Sequence, residues 1–238
     1  MRKKQYNMNM SKFLYKLMGV MSIATLCSFY AKGQSPIDSS YLTSQYSLRL
    51  DYFRKMPERK NEIVFLGNSL TEGGKWQEMI RKKNVINRGI SGDVTYGIIA
   101  RLDEVLSSKP AKIFLLCGIN DMKRGIPNEA ILANFGRIIQ MIRAASPRTQ
   151  LYIQSLLPVN EKMLPASYAQ INNSKINELN HNLKTLCREK KIVYVNLHPA
   201  VADQDGSLRK ELSLDGLHLR QASYILWADY LNKNGFLK

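Results

Sequence analysis

Four short polar segments carry most of the reactive side chains in this 238-residue chain: Gly67-Asn68-Ser69-Leu70-Thr71, Arg88-Gly89-Ile90-Ser91-Gly92-Asp93, Gly118-Ile119-Asn120-Asp121 and Leu214-Asp215-Gly216-Leu217-His218. Their types suit acyl transfer. A serine hydroxyl is a weak nucleophile until a neighbouring base takes its proton. Histidine titrates in the range that task requires. A carboxylate on the far side of the imidazole holds the tautomer that faces the serine, and Asp215 lies three residues before His218. The carbonyl under attack becomes an oxyanion, for which the N–H groups of Ser69 and Gly92 and the side-chain amide of Asn120 are the candidate donors. Each residue alone has an ordinary explanation. Ser69 would be a helix cap, Gly92 and Asn120-Asp121 turn residues, and Asp215 a capping aspartate beside an incidental histidine. It is the conjunction, in order, that points to chemistry.

The segments need elements to bring them together. Apolar runs at Glu62–Leu66, Asn84–Asn87, Lys112–Cys117, Gln150–Ser155 and Ile192–Leu197 predict five short strands. A short amphipathic helix ending near Pro57 precedes them; between them, helical spacing falls over Lys75–Lys82, Thr95–Leu106, Pro127–Ala145 and Tyr168–Lys190, with a closing helix at Gln221–Leu231. Alternation of this kind predicts an α/β fold: a three-layer α/β/α sandwich around a flavodoxin-like five-stranded parallel sheet. Ligands then bind beyond the carboxyl ends of the strands. Three of the four segments directly follow strands, and the fourth precedes the last helix. Residues 157–170 are irregular and are candidates to line the site.

The four segments resemble the SGNH hydrolases, also called GDSL-type esterases and lipases, in order, residue type and rough spacing, from about Glu62 to Leu231. The resemblance implies Ser69 as nucleophile, His218 as base, Asp215 as its orienting acid, and Ser69, Gly92 and Asn120 as the oxyanion hole. It implies no metal and no organic cofactor. One departure is Asn68, where the family often has aspartate; asparagine keeps the hydrogen-bonding oxygen and loses the charge. A compact member without a long apolar lid resembles the family's carbohydrate deacetylases. The expected substrate is therefore an acetyl or other short acyl ester on a glycan, with a lysophospholipid or simple short-chain ester as the alternative. His198, which follows the fifth strand, is the rival base; His181 reads as a surface residue. Asp93 and Asp121 would orient loops or substrate. Arg88, Arg124 and Arg220 are candidates for substrate contact, against a default of surface solvation.

Composition narrows the remaining classes. Residues 1–33 join a basic head (Arg2, Lys3, Lys4, Lys12, Lys16) to an apolar run over Leu17–Ala31 and end Ala31-Lys32-Gly33, the pattern of a secretory signal peptide. The run is short for a membrane span, and a retained anchor is the alternative. The expected organisation is a signal peptide at 1–33, a polar lead-in at 34–60 and the hydrolase domain at 61–238, in a periplasmic or extracellular protein without stable membrane insertion. Removing residues 1–33 takes six basic residues and no acid from 35 basic and 19 acidic, leaving 29 and 19, a balance of +10. The basic residues are spread along the chain and no nucleic-acid motif accompanies them, so no nucleic-acid partner is expected. A glycan-binding protein that no longer turns over and a binder of anionic surfaces remain the readings from other classes. Of three cysteines, Cys27 falls in the signal segment; Cys117 and Cys187 are expected as buried free thiols. The sequence leaves the oligomeric state open.

Overall fold

The computed structural model describes residues 39–82 and 84–238. The segment expected as a signal peptide, Cys27 and the first residues of the lead-in lie outside the described residues. In chain order the elements are α1 (Ser44–Lys55), β1 (Ile63–Gly67), α2 (Ser69–Glu72), α3 (Trp76–Met79), β2 (Val85–Gly89), α4 (Thr95–Ala100), α5 (Leu102–Ser107), β3 (Lys112–Leu116), α6 (Ile119–Lys123), α7 (Asn128–Ala145), β4 (Gln150–Gln154), α8 (Asn173–Glu189), β5 (Val193–Val195), α9 (His198–Val201) and α10 (Gln221–Lys233).

The five strands form one parallel sheet in the order β2-β1-β3-β4-β5, the flavodoxin-like order expected. Register sorts the side chains by face. Phe65, Phe114 and Tyr152 are paired across β1, β3 and β4 and stack, with ring centroids 5.1 and 4.5 Å apart. On that face Trp76 of α3 lies flat on Phe65 at 4.1 Å, and Trp227 of α10 meets Trp76 edge-on. Their alternates, Val64, Leu66, Ile113, Leu115, Leu151 and Ile153, are aliphatic and buried on the other face. There α4, α5, α7 and α8 pack against one another and complete the third layer.

Two expectations change at helix ends. The spacing over Thr95–Leu106 predicts a single helix, but the chain breaks at Arg101 (φ −116°, ψ 12°) into α4 and α5. The break follows from the Arg101 side chain, which is wholly buried and donates from Nε to Asp93 Oδ2 (2.9 Å) and from Nη2 to the Gly67 carbonyl (3.1 Å). The helix expected from Tyr168 begins at Asn173 instead, because Asn172 caps it by accepting from Lys175 N. Ile171 still enters the core from the preceding turn. Cys117 and Cys187 are free and buried.

Candidate functional site

Ser69 opens α2, immediately after β1. Asn68 caps that turn by accepting from Leu70 N at 3.1 Å. Aspartate at this position would cap in the same way, so the Asn68 departure preserves the local structure. The turn sits unusually close to two strands. A Cβ on Gly67 would lie 2.3 Å from the Leu116 carbonyl, and one on Gly89 would lie 2.2 Å from Glu72 N, so both strand ends need glycine. In register, Gly67 faces Gly89 on one side and Leu116 on the other. The turns bearing Ser69, Gly92 and Asn120 therefore leave three adjacent strands at one level, each strand about 4.8 Å from the next.

The last segment reaches the same edge from the far end of the chain. Ser69 Oγ lies 3.2 Å from His218 Nε2, and His218 Nδ1 lies 2.7 Å from Asp215 Oδ2. The other Asp215 oxygen accepts the backbone N–H groups of Leu217 (3.0 Å) and His218 (2.7 Å). Burial pushes the Asp215 carboxyl up, but the His218 ring and these two N–H groups outweigh it and hold the group below its ordinary value. An ionised Asp215 accepts a hydrogen bond from the Nδ1–H, which keeps the proton on Nδ1 and leaves Nε2 free to accept from the serine hydroxyl. The turn is internally tied: Ser213 Oγ accepts from Gly216 N and donates to the His218 carbonyl. Segment 157–170 supports it from beneath, with Asn160 N donating to the Gly216 carbonyl at 2.8 Å.

Asn120 Nδ2 donates one hydrogen to the Asp93 carbonyl at 2.9 Å, and its second is the one available to a substrate. Gly92 adopts φ +80°. Below this edge lie two buried carboxylates. Burial raises Asp93 to about 6 against the opposing Arg101 charge, and it raises Asp121 to about 6 against hydrogen bonds from Thr95. Asp121 accepts both Thr95 N and Thr95 Oγ1, and Asn134 of α7 donates to that same hydroxyl. Both acids tie loops together. Burial also holds the Cys117 thiol well above its usual value, so it stays protonated.

The rival base does not reach the serine. His198 starts α9 after β5, three strands from β1, and its backbone N–H donates to Ser155 Oγ. Burial lowers its pKa against two backbone hydrogen bonds. His181 is exposed, as expected. The three arginines considered for substrate contact are engaged within the protein: Arg88 with Glu104 at 2.8 Å, Arg124 with the Gly92 carbonyl at 3.0 Å, and Arg220 with the Ser213 carbonyl at 2.8 Å. Sequence reasoning missed Glu72, Ser91 and Arg49 beside the site. The only available signal was the i,i+3 spacing of Ser69 and Glu72. Among the described residues no cluster of histidine, cysteine and acidic side chains is arranged to hold a metal ion.

Comparison with known proteins finds relatives in both sequence and fold. The human platelet-activating factor acetylhydrolase IB subunit alpha1 is 24% identical over 184 residues, 75% of this chain and 77% of that protein. A solved structure from Streptococcus pneumonia is 29% identical with a TM-score of 0.73, covering 92% of this chain and 99% of that one. An acetylxylan esterase from Geobacillus stearothermophilus shares the fold at 16% identity and TM-score 0.59, over 75% of this chain and 96% of that one. The sequence profile of the GDSL-like Lipase/Acylhydrolase family matches residues 65–225, well over half the chain and spanning all four segments. The chain belongs to that family and is an ester-hydrolysing serine hydrolase.

Proposed function

We propose that this protein removes acetyl or other short acyl groups from esters, with a carbohydrate as the favoured carrier, through Ser69, His218 and Asp215. The observation that carries the site assignment is the continuous relay from Ser69 Oγ to His218 Nε2 (3.2 Å) and from His218 Nδ1 to Asp215 Oδ2 (2.7 Å). Ser69 Oγ attacks the carbonyl carbon while its proton passes to Nε2. The oxyanion is held by the Ser69 and Gly92 N–H groups and the free hydrogen of Asn120 Nδ2. Collapse expels the alcohol, which takes the proton from Nε2 and leaves an acyl-serine. Water then attacks, giving its proton to Nε2; the second collapse returns that proton to Ser69 and releases the acid.

The acetyl preference draws on two relatives of different kinds. One is named for acetylhydrolysis of platelet-activating factor and one for acetylxylan; the leaving alcohols differ and the acyl group is shared. Export, read from residues 1–33, favours a glycan over a cytoplasmic lipid. The discriminating experiment compares hydrolysis of p-nitrophenyl acetate, butyrate and octanoate, then acetate release from acetylated xylan and from an sn-2 acetyl phospholipid. Acetate is expected as the best acyl group and the glycan as the better carrier; preference for octanoate or for the phospholipid would overturn the corresponding half. Ser69→Ala and His218→Ala should abolish turnover while His198→Ala keeps it. The opposite pattern for the two histidines would move the base to His198.

A further inference from the structure

We propose that Glu72 is a positioning residue for the oxyanion turn, and that the helix before the sheet, α1, acts on catalysis through it. This rests on the assignment of Gly92 as an oxyanion donor. The turn between β2 and α4 is gripped at each of four successive residues. The Gly89 carbonyl accepts from Arg49 Nη2 at 3.0 Å. The Ile90 side chain is fully buried with Tyr46 and Phe53 of α1. Ser91 donates both its backbone N–H (2.5 Å) and its hydroxyl (2.6 Å) to Glu72 Oε2. The Gly92 carbonyl accepts from Arg124 Nη2, whose Nη1 donates to Ser40 Oγ at 2.6 Å.

The Glu72 carboxylate links three elements. Its Oε2 holds Ser91, while its Oε1 meets Arg49 Nε at 3.3 Å and Gln45 Nε2 at 3.5 Å, both on α1. Glu72 also ends the four-residue helix that Ser69 begins. One rigid turn therefore carries the nucleophile at its start and the clamp on the oxyanion turn at its end, so the separation of attacking oxygen and donor is set within four residues. The N–H of Gly92 belongs to the peptide plane joining Ser91 to Gly92. Anchoring Ser91 through its N–H and Gly92 through its carbonyl fixes the direction in which that N–H points. Hydrogen bonds to a carboxylate are stronger than neutral ones, and the Arg49 charge offsets a negative group that would otherwise oppose an oxyanion nearby.

The test uses the whole chain and p-nitrophenyl acetate. Losing an oxyanion donor outright costs about 10²–10³-fold in kcat, and a misplacement of about 1 Å costs on the order of 10²-fold. Glu72→Ala should therefore lower kcat about 10- to 100-fold with KM within about twofold. Glu72→Gln keeps an acceptor for Ser91 but turns its NH₂ toward Arg49, so it should recover part of that loss, with kcat between those of Glu72→Ala and the parent. A second readout separates positioning from general damage. Sulfur accepts hydrogen bonds poorly, so the corresponding thionoacetate draws less on the oxyanion donors, and Glu72→Ala should lose less on it than on the oxygen ester. Parent-like kcat in a folded Glu72→Ala, equal losses on the two esters, or no rescue by glutamine would overturn the proposal. If Glu72→Ala does not fold, Ser91→Ala, which removes only the hydroxyl bond, carries the same comparison. Ser69→Ala in the same assay keeps the two readings apart: an active Ser69→Ala overturns the nucleophile, whereas an inactive one beside an unaffected Glu72→Ala overturns only the clamp.

Discussion

Replacing Asp215 by asparagine tests the relay with little change in shape. The Asp215 Oδ1 oxygen accepts two backbone N–H groups, from Leu217 at 3.0 Å and His218 at 2.7 Å, while Oδ2 faces His218 Nδ1 at 2.7 Å. The asparagine oxygen must stay with the backbone donors, because turning the amide over would set its NH₂ against them and forfeit two hydrogen bonds worth about 1 kcal/mol each. The NH₂ then faces Nδ1 and donates to it. The imidazole is left carrying its proton on Nε2, where it cannot accept from Ser69. Reaching the productive tautomer costs about 2 kcal/mol for the flip. The lost carboxylate adds to this. Two unit charges about 4 Å apart attract by about 4 kcal/mol at an effective dielectric of about 20 and by about 1 kcal/mol in water. With the His218 and Asp215 side chains 33% and 34% exposed, the intermediate value of about 2–3 kcal/mol applies. The total of about 4–5 kcal/mol corresponds to a loss of about 10³-fold in kcat, somewhat below the roughly 10⁴-fold seen for the same change in a serine protease. Steady-state hydrolysis of p-nitrophenyl acetate measures it, with circular dichroism and thermal melting confirming the fold. A well-folded Asp215→Asn with kcat within tenfold of the parent would refute the tautomer reasoning.

Two further outcomes follow from groups around the site. In Gly216→Ala the new methyl would lie 2.6 Å from the Asn160 carbonyl and 3.0 Å from Leu164 N, at φ +92°; strain of this kind costs about 1–3 kcal/mol before the clash is counted. Thermal melting should show that loss and kcat should fall with it, because the displaced turn carries His218; unchanged melting and kcat would contradict the packing described. Asp121 is raised from 3.8 to about 6, so between those pH values the folded chain holds a proton that the unfolded chain has released. Stability from this group is therefore greatest below about pH 4 and declines as pH rises to about 6, by about 3 kcal/mol in all. Urea unfolding at pH 4 and pH 7 should show Asp121→Asn gaining on the parent by on the order of 2–3 kcal/mol between the two; parallel pH dependences would remove the buried-carboxylate assignment.

Local pattern was enough wherever local physics decides the structure. The runs IVFLG, KIFLL and QLYIQ are short, apolar and β-prone, and each is a strand within a residue or two of expectation. The turns after them could be placed at one edge because parallel strands all end on the same side. The break at Arg101 was hidden for the opposite reason. Its cause is a carboxylate on another turn, Asp93, and a carbonyl on another strand, Gly67, neither of which leaves a mark on the helical spacing of Thr95–Leu106. The role of residues 39–55 was hidden too. As a sequence the stretch reads as a polar lead-in and a short amphipathic helix ending near Pro57, and the helix is there, Ser44–Lys55, with Leu48 and Tyr52 exposed. Its bearing on the site comes through Arg49, Tyr46 and Phe53: Arg49 reaches Glu72 and the Gly89 carbonyl, and Tyr46 the Gly97 carbonyl, partners that no local pattern indicates. Asn120 and Asp121 were legible as residues of interest, but that one faces the edge and the other is sealed beneath it required the fold.

The two halves of the relay are braced by different parts of the chain. Ser69 is fixed by Asn68, by glycine at the ends of β1 and β2, and by Glu72 at the end of its own helix. His218 is fixed by Asp215, Ser213 and the 160–164 backbone, all remote in sequence from Ser69. Among the hydrogen bonds described, the two halves meet at the single contact between Ser69 Oγ and His218 Nε2. That contact is only as well placed as the sheet that spaces the two supports. Core changes on the aromatic face, where Trp76 and Trp227 join α3 and α10 over Phe65, should consequently reach activity through this one distance: α10 begins three residues after His218, and α3 follows the turn that carries Ser69. Removing side-chain volume there loosens the packing between two elements that each adjoin one half of the relay, so kcat is expected to fall before the fold is lost.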